Sequence, residues 1–395
     1  MSLLLIVHGQ AVLATSVEES IYIFIEQGKI QELGPLSDLP IHLKNVKKIE
    51  IPLGHTVVPG FIDVHIHGAA GADTMDGSTE ALTTMATALP AEGTTSFLPT
   101  TITQKYENID QALRNAADYQ QNHNDSGKAE VLGVHLEGPF INPKRKGAQP
   151  LEHIIDPSID LFKQWQELSG GSIKIVTVAP EMANGLEFVR YLHKTDVIAS
   201  IGHSDSIYEE MEQAVQAGAK QVTHLFNGMR GIHHREPGVA GSALLFKELM
   251  AELIADGIHV RPEMMKLVIN AKGTDGMILI TDAMRAKGLK DGIYDLGGQD
   301  VSVANGQALL ADGTLAGSIL KMNDSIKNII NAAQISLAEA VKMASANPAK
   351  QLNVYDRKGS ITIGKDADIT ILSEDYLVTF TLCRGEIAFN RGLYE

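Results

Sequence analysis

The chain has 395 residues, a length that favours two domains, or one large barrel with an attachment, over a single compact unit. Hydrophobic residues make up 44% of the chain and charged residues 21%, which excludes a largely disordered or low-complexity protein. The 33 basic and 48 acidic residues give a net charge of −15 at pH 7, which would repel a polyphosphate backbone. We therefore expect no nucleic-acid partner.

Cysteine content and hydropathy bear on the compartment. Cys383 is the only cysteine in the sequence, so no intrachain disulfide can form and nothing points to an oxidising environment. The segment from Met1 to Leu13 lacks the basic leader of a signal peptide, and no stretch approaches the roughly 20 apolar residues of a membrane-spanning helix. We therefore expect no contact with a membrane and a cytoplasmic location.

Both ends of the chain are typical of short strands separated by turns. Residues 1–54 contain three apolar or alternating runs that are broken by glycine and proline, and residues 356–395 contain two more. These runs are residues 3–7, 21–26, 48–53, 370–372 and 378–382. Neither end alone can cover a hydrophobic sheet face, so the pattern predicts that both ends pair into one small β-sandwich domain.

Residues 55–355 alternate short β-branched runs with longer segments of helical spacing, such as residues 206–217. The predicted strands are residues 95–98, 131–136, 173–178, 197–201, 221–225, 251–255 and 277–280. Strands that alternate with helices over about 300 residues favour an α/β fold, a (β/α)₈ TIM-like barrel. The alternative, an open doubly wound sheet, would show a glycine-rich first turn, and we find no such turn.

Polar side chains recur where the predicted strands end. His65 and His67 alternate within the apolar run 61–68, so on a strand both imidazoles point to one face. At the ends of other strands follow Glu137, His203, His224 and Asp282. Each of these residues alone has a structural explanation, but a barrel brings the ends of its strands together. The joint pattern therefore predicts a single site.

The residue types of this site predict metal-dependent chemistry. Imidazole and carboxylate are the ligands that Zn²⁺ or another divalent transition ion accepts. Such an ion lowers the pKa of a bound water to about 7 and polarises a carbonyl oxygen, which suits amide hydrolysis at neutral pH. A proton must also reach the leaving nitrogen, and Asp282 is the candidate carrier. An aspartate after a strand is also typical of a helix N-cap, and the sequence does not separate these roles.

Basic residues near the predicted site favour an anionic substrate. The basic run 144–146 follows Glu137, although a solvated loop explains it equally well. Arg235 lies on the segment that leaves His224, and a guanidinium suits bidentate binding of a phosphate. These residues point to a small phosphorylated substrate.

At these positions the sequence resembles the amidohydrolase superfamily, and within it the deacetylases of phosphorylated N-acetyl amino sugars. The histidine-x-histidine pair is typical of the whole superfamily. The glutamate-glycine-proline, histidine-leucine-x-asparagine and aspartate-glycine-x-histidine segments together are specific to the deacetylases. The resemblance runs almost from end to end, through residues 58–68, 135–140, 202–205, 223–229, 235–238, 255–260, 281–283 and 315–318.

The resemblance implies hydrolysis of N-acetyl-D-glucosamine 6-phosphate to D-glucosamine 6-phosphate and acetate, in amino-sugar catabolism and cell-wall recycling. By position, Glu137, His203 and His224 would hold the main divalent metal, zinc or iron, and Asp282 would accept and donate the proton. The residues implied to line the sugar-phosphate pocket are Asn227, Gly228, Arg235, His259, Leu315, Ala316, Gly317 and Ser318.

The resemblance also bears on assembly and on metal count. It implies a homodimer in which the segment around His259, assisted by Arg261, reaches the phosphate in the neighbouring subunit. Some members lack the histidine pair and bind one metal; because the pair at positions 65 and 67 is present here, one or two ions are implied, the second bridged by Glu137. Ala148 and Gln149 stand where some relatives have a threonine and a histidine that touches the sugar, so whether Gln149 makes that contact stays open.

Two other functions compete with this one. Another amidohydrolase would act on a different or cyclic amide or deaminate its substrate; those with two metals often bridge them by a carboxylated lysine, and Glu137 occupies that place here. A non-catalytic barrel would have lost Asp282 or the ligand set, and none of these residues is lost.

Overall fold

The structure is a computed structural model and describes residues 3–392 and residue 394. Positions 1, 2, 393 and 395 of the predicted terminal domain lie outside the described residues, and positions 1 and 2 also belong to the segment assessed for a signal peptide. None of the described helices combines the length and hydropathy that crossing a membrane requires.

The described residues form 24 strands and ten α-helices. The strands are β1 (Leu4–Val7), β2 (Gln10–Val12), β3 (Val17–Glu19), β4 (Ile21–Glu26), β5 (Lys29–Pro35), β6 (Lys48–Glu50), β7 (Thr56–Pro59), β8 (Phe61–Ile66), β9 (Gly68–Ala69), β10 (Ala72–Asp73), β11 (Thr94–Thr101), β12 (Glu130–Val131), β13 (Val134–Glu137), β14 (Ile173–Val178), β15 (Ile198–Ile201), β16 (Gln221–Val222), β17 (Met250–Ile254), β18 (Met277–Ile280), β19 (Gly292–Leu296), β20 (Gln299–Ala304), β21 (Gln307–Leu309), β22 (Ile369–Leu372), β23 (Val378–Cys383) and β24 (Glu386–Asn390). The helices are α1 (Thr79–Ala88), α2 (Tyr106–Asn122), α3 (Ile159–Leu168), α4 (Gly185–Lys194), α5 (Tyr208–Ala217), α6 (Gly238–Leu245), α7 (Pro262–Lys272), α8 (Met322–Ala333), α9 (Leu337–Ala344) and α10 (Ala346–Gln351).

Eight parallel strands form the barrel: β8, β11, an interrupted strand made of β12 and β13, and then β14 to β18 in chain order. Helices α1 to α7 lie between successive strands along the chain. Every residue of β18 is buried, as expected of a continuous apolar strand that is covered on both faces. This confirms the predicted (β/α)₈ fold.

The barrel closes between its first strand, β8, and its last, β18. The Asp282 N–H donates to the His65 carbonyl at 2.8 Å. Nearby, the buried Asp63 carboxylate takes the place of backbone pairing. Its Oδ1 accepts from the Thr281 N–H at 3.3 Å and its Oδ2 from the Thr281 hydroxyl at 2.5 Å. The closure thereby places the histidine pair beside Asp282.

Two sheets built from both ends of the chain form the small β domain. One sheet has the order β5-β4-β1-β6 and the other β24-β23-β22-β7-β2-β3. They share one hydrophobic cluster, which includes Ile6 and Ile23 from the first sheet and Val57, Ile371 and Phe380 from the second. The predicted β-sandwich is therefore present. The division of this domain from the barrel at 54/55 and 355/356 stays a prediction. Strand β7 lies on the barrel side of the first boundary, although it pairs on both sides with strands of the small β domain.

Several elements differ from the sequence-based prediction, and three of the differences concern the barrel and its mouth. The strand predicted at 131–136 is interrupted between β12 and β13. The strand predicted at 221–225 ends at Val222, because His224 has a left-handed backbone with φ of 31°. Strands β19 to β21 form a separate antiparallel sheet that the sequence analysis missed. Its signal was the turn pairs Gly297-Gly298 and Asn305-Gly306 between alternating runs.

Ion pairs fasten the C-terminal segment to the barrel at Glu130 of β12. The Arg357 guanidinium donates to both carboxylate oxygens, at 2.7 and 2.9 Å, and Lys358 Nζ lies 2.7 Å from Oε2. Burial acts to raise the pKa of Glu130, but these cations lower it to about 2. The carboxylate is therefore ionised at neutral pH, where the ion pairs stabilise the fold.

Glu130→Gln should lower the free energy of unfolding by about 1–3 kcal/mol at pH 7, because Arg357 and Lys358 lose one of the carboxylates that they share and keep only Asp366 and Asp368. The folded-state pKa lies below the unfolded value, so this contribution is present above about pH 4.5 and is lost as the pH falls towards 2. Urea unfolding at pH 7 and pH 3 measures the difference. As a control, Asp160→Asn removes an exposed pair with Lys163 and should cost less than about 0.5 kcal/mol. An equal loss at both pH values would contradict the ionic origin.

Candidate active site

The predicted site residues converge at the carboxyl ends of the barrel strands. The histidine pair comes from the end of β8, and Glu137 ends β13. His203, His224 and Asp282 lie in the turns after β15, β16 and β18. All of these side chains are buried. The structure thus brings together the set that the sequence singled out, while the individual roles stay predictions.

Glu137 lies at the centre of this cluster. Its Oε1 is 3.1 Å from Nε2 of His203 and 2.9 Å from Nε2 of His224, and these two nitrogens are 3.1 Å apart. Its Oε2 is 3.2 Å from Nε2 of His67. The ligand atoms of Glu137, His203 and His224 all lie within 4.8 Å of one another, close enough to share one cation.

A second group of possible ligands lies beside the first. Oδ1 of Asp282 is 3.5 Å from Nε2 of His65 and 3.3 Å from Nε2 of His67. The His65 Nε2 atom is also 3.5 Å from Oε1 of Glu137. Glu137 therefore contacts both groups, as a bridging carboxylate would.

Hydrogen bonds on the far side of the rings determine which nitrogen faces the centre. Nδ1 of His203 lies 2.8 Å from the Arg145 carbonyl oxygen, and Nδ1 of His67 lies 3.2 Å from that of Thr100. A carbonyl only accepts, so each Nδ1 carries the proton and each Nε2 presents a lone pair. These lone pairs face the oxygens of Glu137, which are acceptors too. Either a second proton on the ring or a cation must lie between these atoms, and the donor set fits a divalent metal.

The electrostatics of the cluster keep both carboxylates ionised. Burial acts to raise the pKa of Glu137, but His65 and the hydrogen bonds of two further imidazoles hold it well below its usual value. Burial likewise acts against ionisation of Asp282, but His65 and His67 lower its pKa to about 2. Burial acts to lower the pKa of His67, whose bonds to both carboxylates raise it to about 10. Asp282 is therefore ionised at neutral pH, as its predicted role requires.

Three residues of the cluster have a left-handed backbone: φ is 46° at His203, 31° at His224 and 48° at Asp282. Residues other than glycine rarely adopt this conformation, which costs on the order of 1–3 kcal/mol at each position. Such strain persists where the surrounding structure fixes it, and it is typical of functional sites.

Gln149 contacts the central carboxylate. Its Nε2 donates to Oε2 of Glu137 at 2.8 Å, and its Oε1 accepts from the Thr103 N–H at 2.8 Å. Both Gln149 and Ala148 also line the cavity described next. Gln149 thus orients Glu137, and its contact with a sugar stays a prediction.

A cavity of about 210 Å³ opens onto the cluster. The predicted substrate residues in its lining are Asn227, Gly228, His259, Leu315 and Gly317, besides Ala148 and Gln149. Ile102, Thr314 and Leu296 of β19 also line it, and sequence reasoning missed them. Their apolar or neutral side chains carry no chemical signal, so only the packing of β19 against the barrel mouth reveals them.

Three predicted substrate residues do not line this cavity, and their contact with a substrate stays a prediction. Arg235 is exposed, and its guanidinium donates to Nε2 of the adjacent His234 at 2.7 Å. Ala316 is packed within a hydrophobic cluster. The Ser318 hydroxyl donates to the Thr281 carbonyl at 2.5 Å, so it supports the strand end instead of a ligand.

His259 lines the cavity of its own chain, and the expectation that its segment reaches the phosphate in a neighbouring subunit stays a prediction. Asp256 holds it there: its Oδ2 is 2.6 Å from Nδ1 of His259, and its Oδ1 accepts the His259 N–H at 2.8 Å. Arg261, which was expected to assist, is exposed and pairs with Glu263 at 3.1 Å.

Sequence reasoning also missed Glu252, which supports two of the predicted ligands. It is a fully buried residue of β17. Its Oε2 is 2.9 Å from Nδ1 of His65 and accepts the backbone N–H of His224 at 3.1 Å. A glutamate inside the apolar run 251–255 was the available signal, because charges are rarely buried without a partner.

The site lies in a (β/α)₈ barrel, and its histidines and carboxylates gather at the carboxyl ends of the strands. This combination is typical of metal-dependent hydrolases. Residues 56–388 match the amidohydrolase family, and the chain belongs to that family.

Several similar proteins are named as deacetylases of phosphorylated N-acetyl amino sugars. The N-acetylglucosamine-6-phosphate deacetylase of Bacillus subtilis (strain 168) is 51% identical over 369 residues, which cover 93% of this chain and 92% of that protein. The N-acetylgalactosamine-6-phosphate deacetylase of Escherichia coli O157:H7 is 38% identical over 330 residues, which cover 84% of this chain and 87% of that protein. A mutant N-acetyl-D-glucosamine-6-phosphate deacetylase from Mycobacterium smegmatis, solved with N-acetyl-D-glucosamine-6-phosphate, has a TM-score of 0.92 at 28% identity and covers 99% of this chain and 100% of that one.

Glu137→Gln should lower metal affinity by at least about tenfold, because the central ligand loses its charge. Metal analysis after dialysis measures the ions retained per chain. Glu187→Gln makes the same chemical change at an exposed position of α4 and should retain the wild-type metal content. Full metal content in Glu137→Gln would contradict its assignment as a ligand.

Proposed function

We propose that this chain hydrolyses N-acetyl-D-glucosamine 6-phosphate to D-glucosamine 6-phosphate and acetate, in amino-sugar catabolism and cell-wall recycling. One combined observation carries the proposal. A relative of that activity is 51% identical over 93% of the chain, and this chain carries the complete set of histidines and carboxylates beside a cavity. The solved complex of a relative with N-acetyl-D-glucosamine-6-phosphate supports the same substrate.

Two neighbouring groups of side chains would hold the metal. Glu137, His203 and His224 would bind the main divalent ion, zinc or iron, and the pair His65 and His67 would bind a second ion that Glu137 bridges. The arrangement that supports this is the shared carboxylate, which lies 2.9 to 3.5 Å from all four ring nitrogens. When bound, such an ion polarises the acetamide carbonyl and lowers the pKa of water.

Asp282 would carry the proton. Its carboxylate is ionised, lines the cavity and is held in place by the bond from its N–H to the His65 carbonyl at 2.8 Å. It would take a proton from the attacking water as the new C–O bond forms. It would then give that proton to the nitrogen as the C–N bond breaks, which releases acetate and the free amine.

Asn227, Gly228 and His259 would bind the sugar phosphate. All three line the cavity, and the amide, the backbone N–H and the imidazole are donors that suit an anion. Arg235 is exposed and does not line the cavity of its own chain, and its contact with the phosphate remains a proposal from the sequence. A homodimer, a cytoplasmic location and the domain boundaries at 54/55 and 355/356 are proposals that derive from the sequence.

Zinc-loaded protein should release acetate from N-acetylglucosamine 6-phosphate with a kcat/KM at least about 100-fold above that for unphosphorylated N-acetylglucosamine, because donors placed for the phosphate are otherwise left unpaired. An acetate-release assay with both sugars measures this ratio. Equal turnover of the two would contradict the phosphate pocket. N-acetylgalactosamine 6-phosphate is the competing substrate, because the 38% identical relative is named for it. A higher kcat/KM for that sugar would replace the proposed one.

Asp282→Asn should lower kcat by about 1000-fold, because asparagine keeps the shape of the side chain but cannot take up a proton. Metal content, measured on the same sample, should stay close to that of the wild type, which separates proton transfer from metal binding. Glu187→Gln serves again as the exposed control and should be fully active. Wild-type turnover in the asparagine variant would remove Asp282 from the mechanism.

A further inference from the structure

Glu252 is a buried acidic residue that the proposed reaction does not use. It has no exposed surface and does not line the cavity. Its carboxylate accepts three hydrogen bonds: Oε2 from Nδ1 of His65 at 2.9 Å and from the His224 N–H at 3.1 Å, and Oε1 from Nε2 of Gln221 at 2.6 Å. A buried charge with this many donors is held in one position.

We propose that Glu252 is a positioning residue that determines whether the His65–His67 group holds a second divalent cation. The inference rests on the proposed function only in that it assumes a metal site. The contact to His65 Nδ1 fixes the proton there, so that Nε2 faces the centre with its lone pair. His65 Nε2 has no hydrogen-bond partner among the described residues, although it is buried. A cation is the partner that this atom lacks.

His65 differs in this respect from the other ring ligands. Nδ1 of His203 and of His67 faces a neutral backbone carbonyl, that of Arg145 or Thr100. Nδ1 of His65 faces a full negative charge, which raises the basicity of the ring as a ligand. The His65–His67 group has the longest contacts to Glu137. Its geometry therefore depends most on a hydrogen bond to a residue that is not itself a ligand, and Glu252 accepts that bond from His65.

The neighbouring His135 does not compete for Glu252. Its ring lies 4.5 Å from that of His65. However, its Nδ1 is 3.0 Å from the Val64 carbonyl, and its Nε2 is 2.7 Å from the Thr177 hydroxyl. Both nitrogens are thus engaged, so His65 is the only ring of the site that the Glu252 carboxylate contacts among the described residues, and its contact with His224 is to the backbone N–H.

The surroundings of Glu252 allow a substitution that removes its charge and little else. In Glu252→Gln, the side-chain oxygen can still accept from His65 and from the His224 N–H. The new amide then faces Gln221, whose Oε1 is buried without a hydrogen-bond partner among the described residues. A flip of the Gln221 amide would present that oxygen to the new donor. The variant should therefore keep its hydrogen bonds and fold normally.

To test this, metal-free protein is titrated with Zn²⁺ alone. Calorimetry measures the affinity of each ion, and metal analysis counts the ions bound per chain. Wild type should bind two ions per chain. Glu252→Gln should bind the first ion as wild type does and the second about 10- to 100-fold more weakly. Gln221→Met removes a neighbouring donor without touching the Glu252–His65 contact, and both of its affinities should stay within about threefold of wild type. In a His65→Ala background, adding Glu252→Gln should weaken the second ion no further.

Each contrary result overturns the inference. A wild type that binds one ion, a Glu252→Gln variant with both affinities unchanged, or an equal loss of both ions would do so, the last because it indicates a general structural role. Urea unfolding of the metal-free variant, with an unchanged midpoint expected, identifies a folding defect, which would also count against it. Because no substrate is present, a protein that binds two ions but releases no acetate contradicts the proposed function alone.

Discussion

Four imidazole nitrogens approach one buried carboxylate, and the organisation of the barrel mouth depends on this contact. The Nε2 atoms of the histidines lie 2.9 to 3.5 Å from Glu137. Where a ring nitrogen presents a lone pair, that nitrogen and the carboxylate oxygen are both acceptors, so in a dry interior they repel each other unless positive charge lies between them. A second proton on a ring can supply this charge in the metal-free chain, and the same contacts fit a divalent cation.

The groups that aim these side chains come from different parts of the chain. His203 is oriented by the Arg145 carbonyl, His65 by Glu252 of β17 and Glu137 by Gln149. The partners of His203 and His65 lie 58 and 187 positions away in sequence, so these rings are oriented only when distant parts of the barrel have come together. Folding and metal affinity are coupled for this reason, since ligands that are scattered in the unfolded chain form no site.

The sequence allowed the fold and the central cluster to be predicted because both obey local rules. The run 277–280 is apolar throughout, and histidines and carboxylates stand directly at strand ends. The orientation of loop side chains follows no such rule. Arg235 was predicted to bind the phosphate because it follows His224 in the chain, and that order does not predict the bond from its guanidinium to His234. Glu252 was missed because its role depends on a contact with a residue 187 positions away.

The strained backbone at His203, His224 and Asp282 shows how the barrel supports its site. Three such residues cost several kcal/mol together, a large share of the roughly 5–15 kcal/mol by which a domain is stable. The cost is sustained because the strands before these turns pair with their neighbours in the barrel and consist mostly of buried residues. The closure at Asp63 extends this restraint across the seam, where Thr281, held through its N–H and its hydroxyl, directly precedes Asp282. Asp282, which is proposed to carry the proton, is thus held in place through Thr281 by the carboxylate of Asp63, which does not line the cavity.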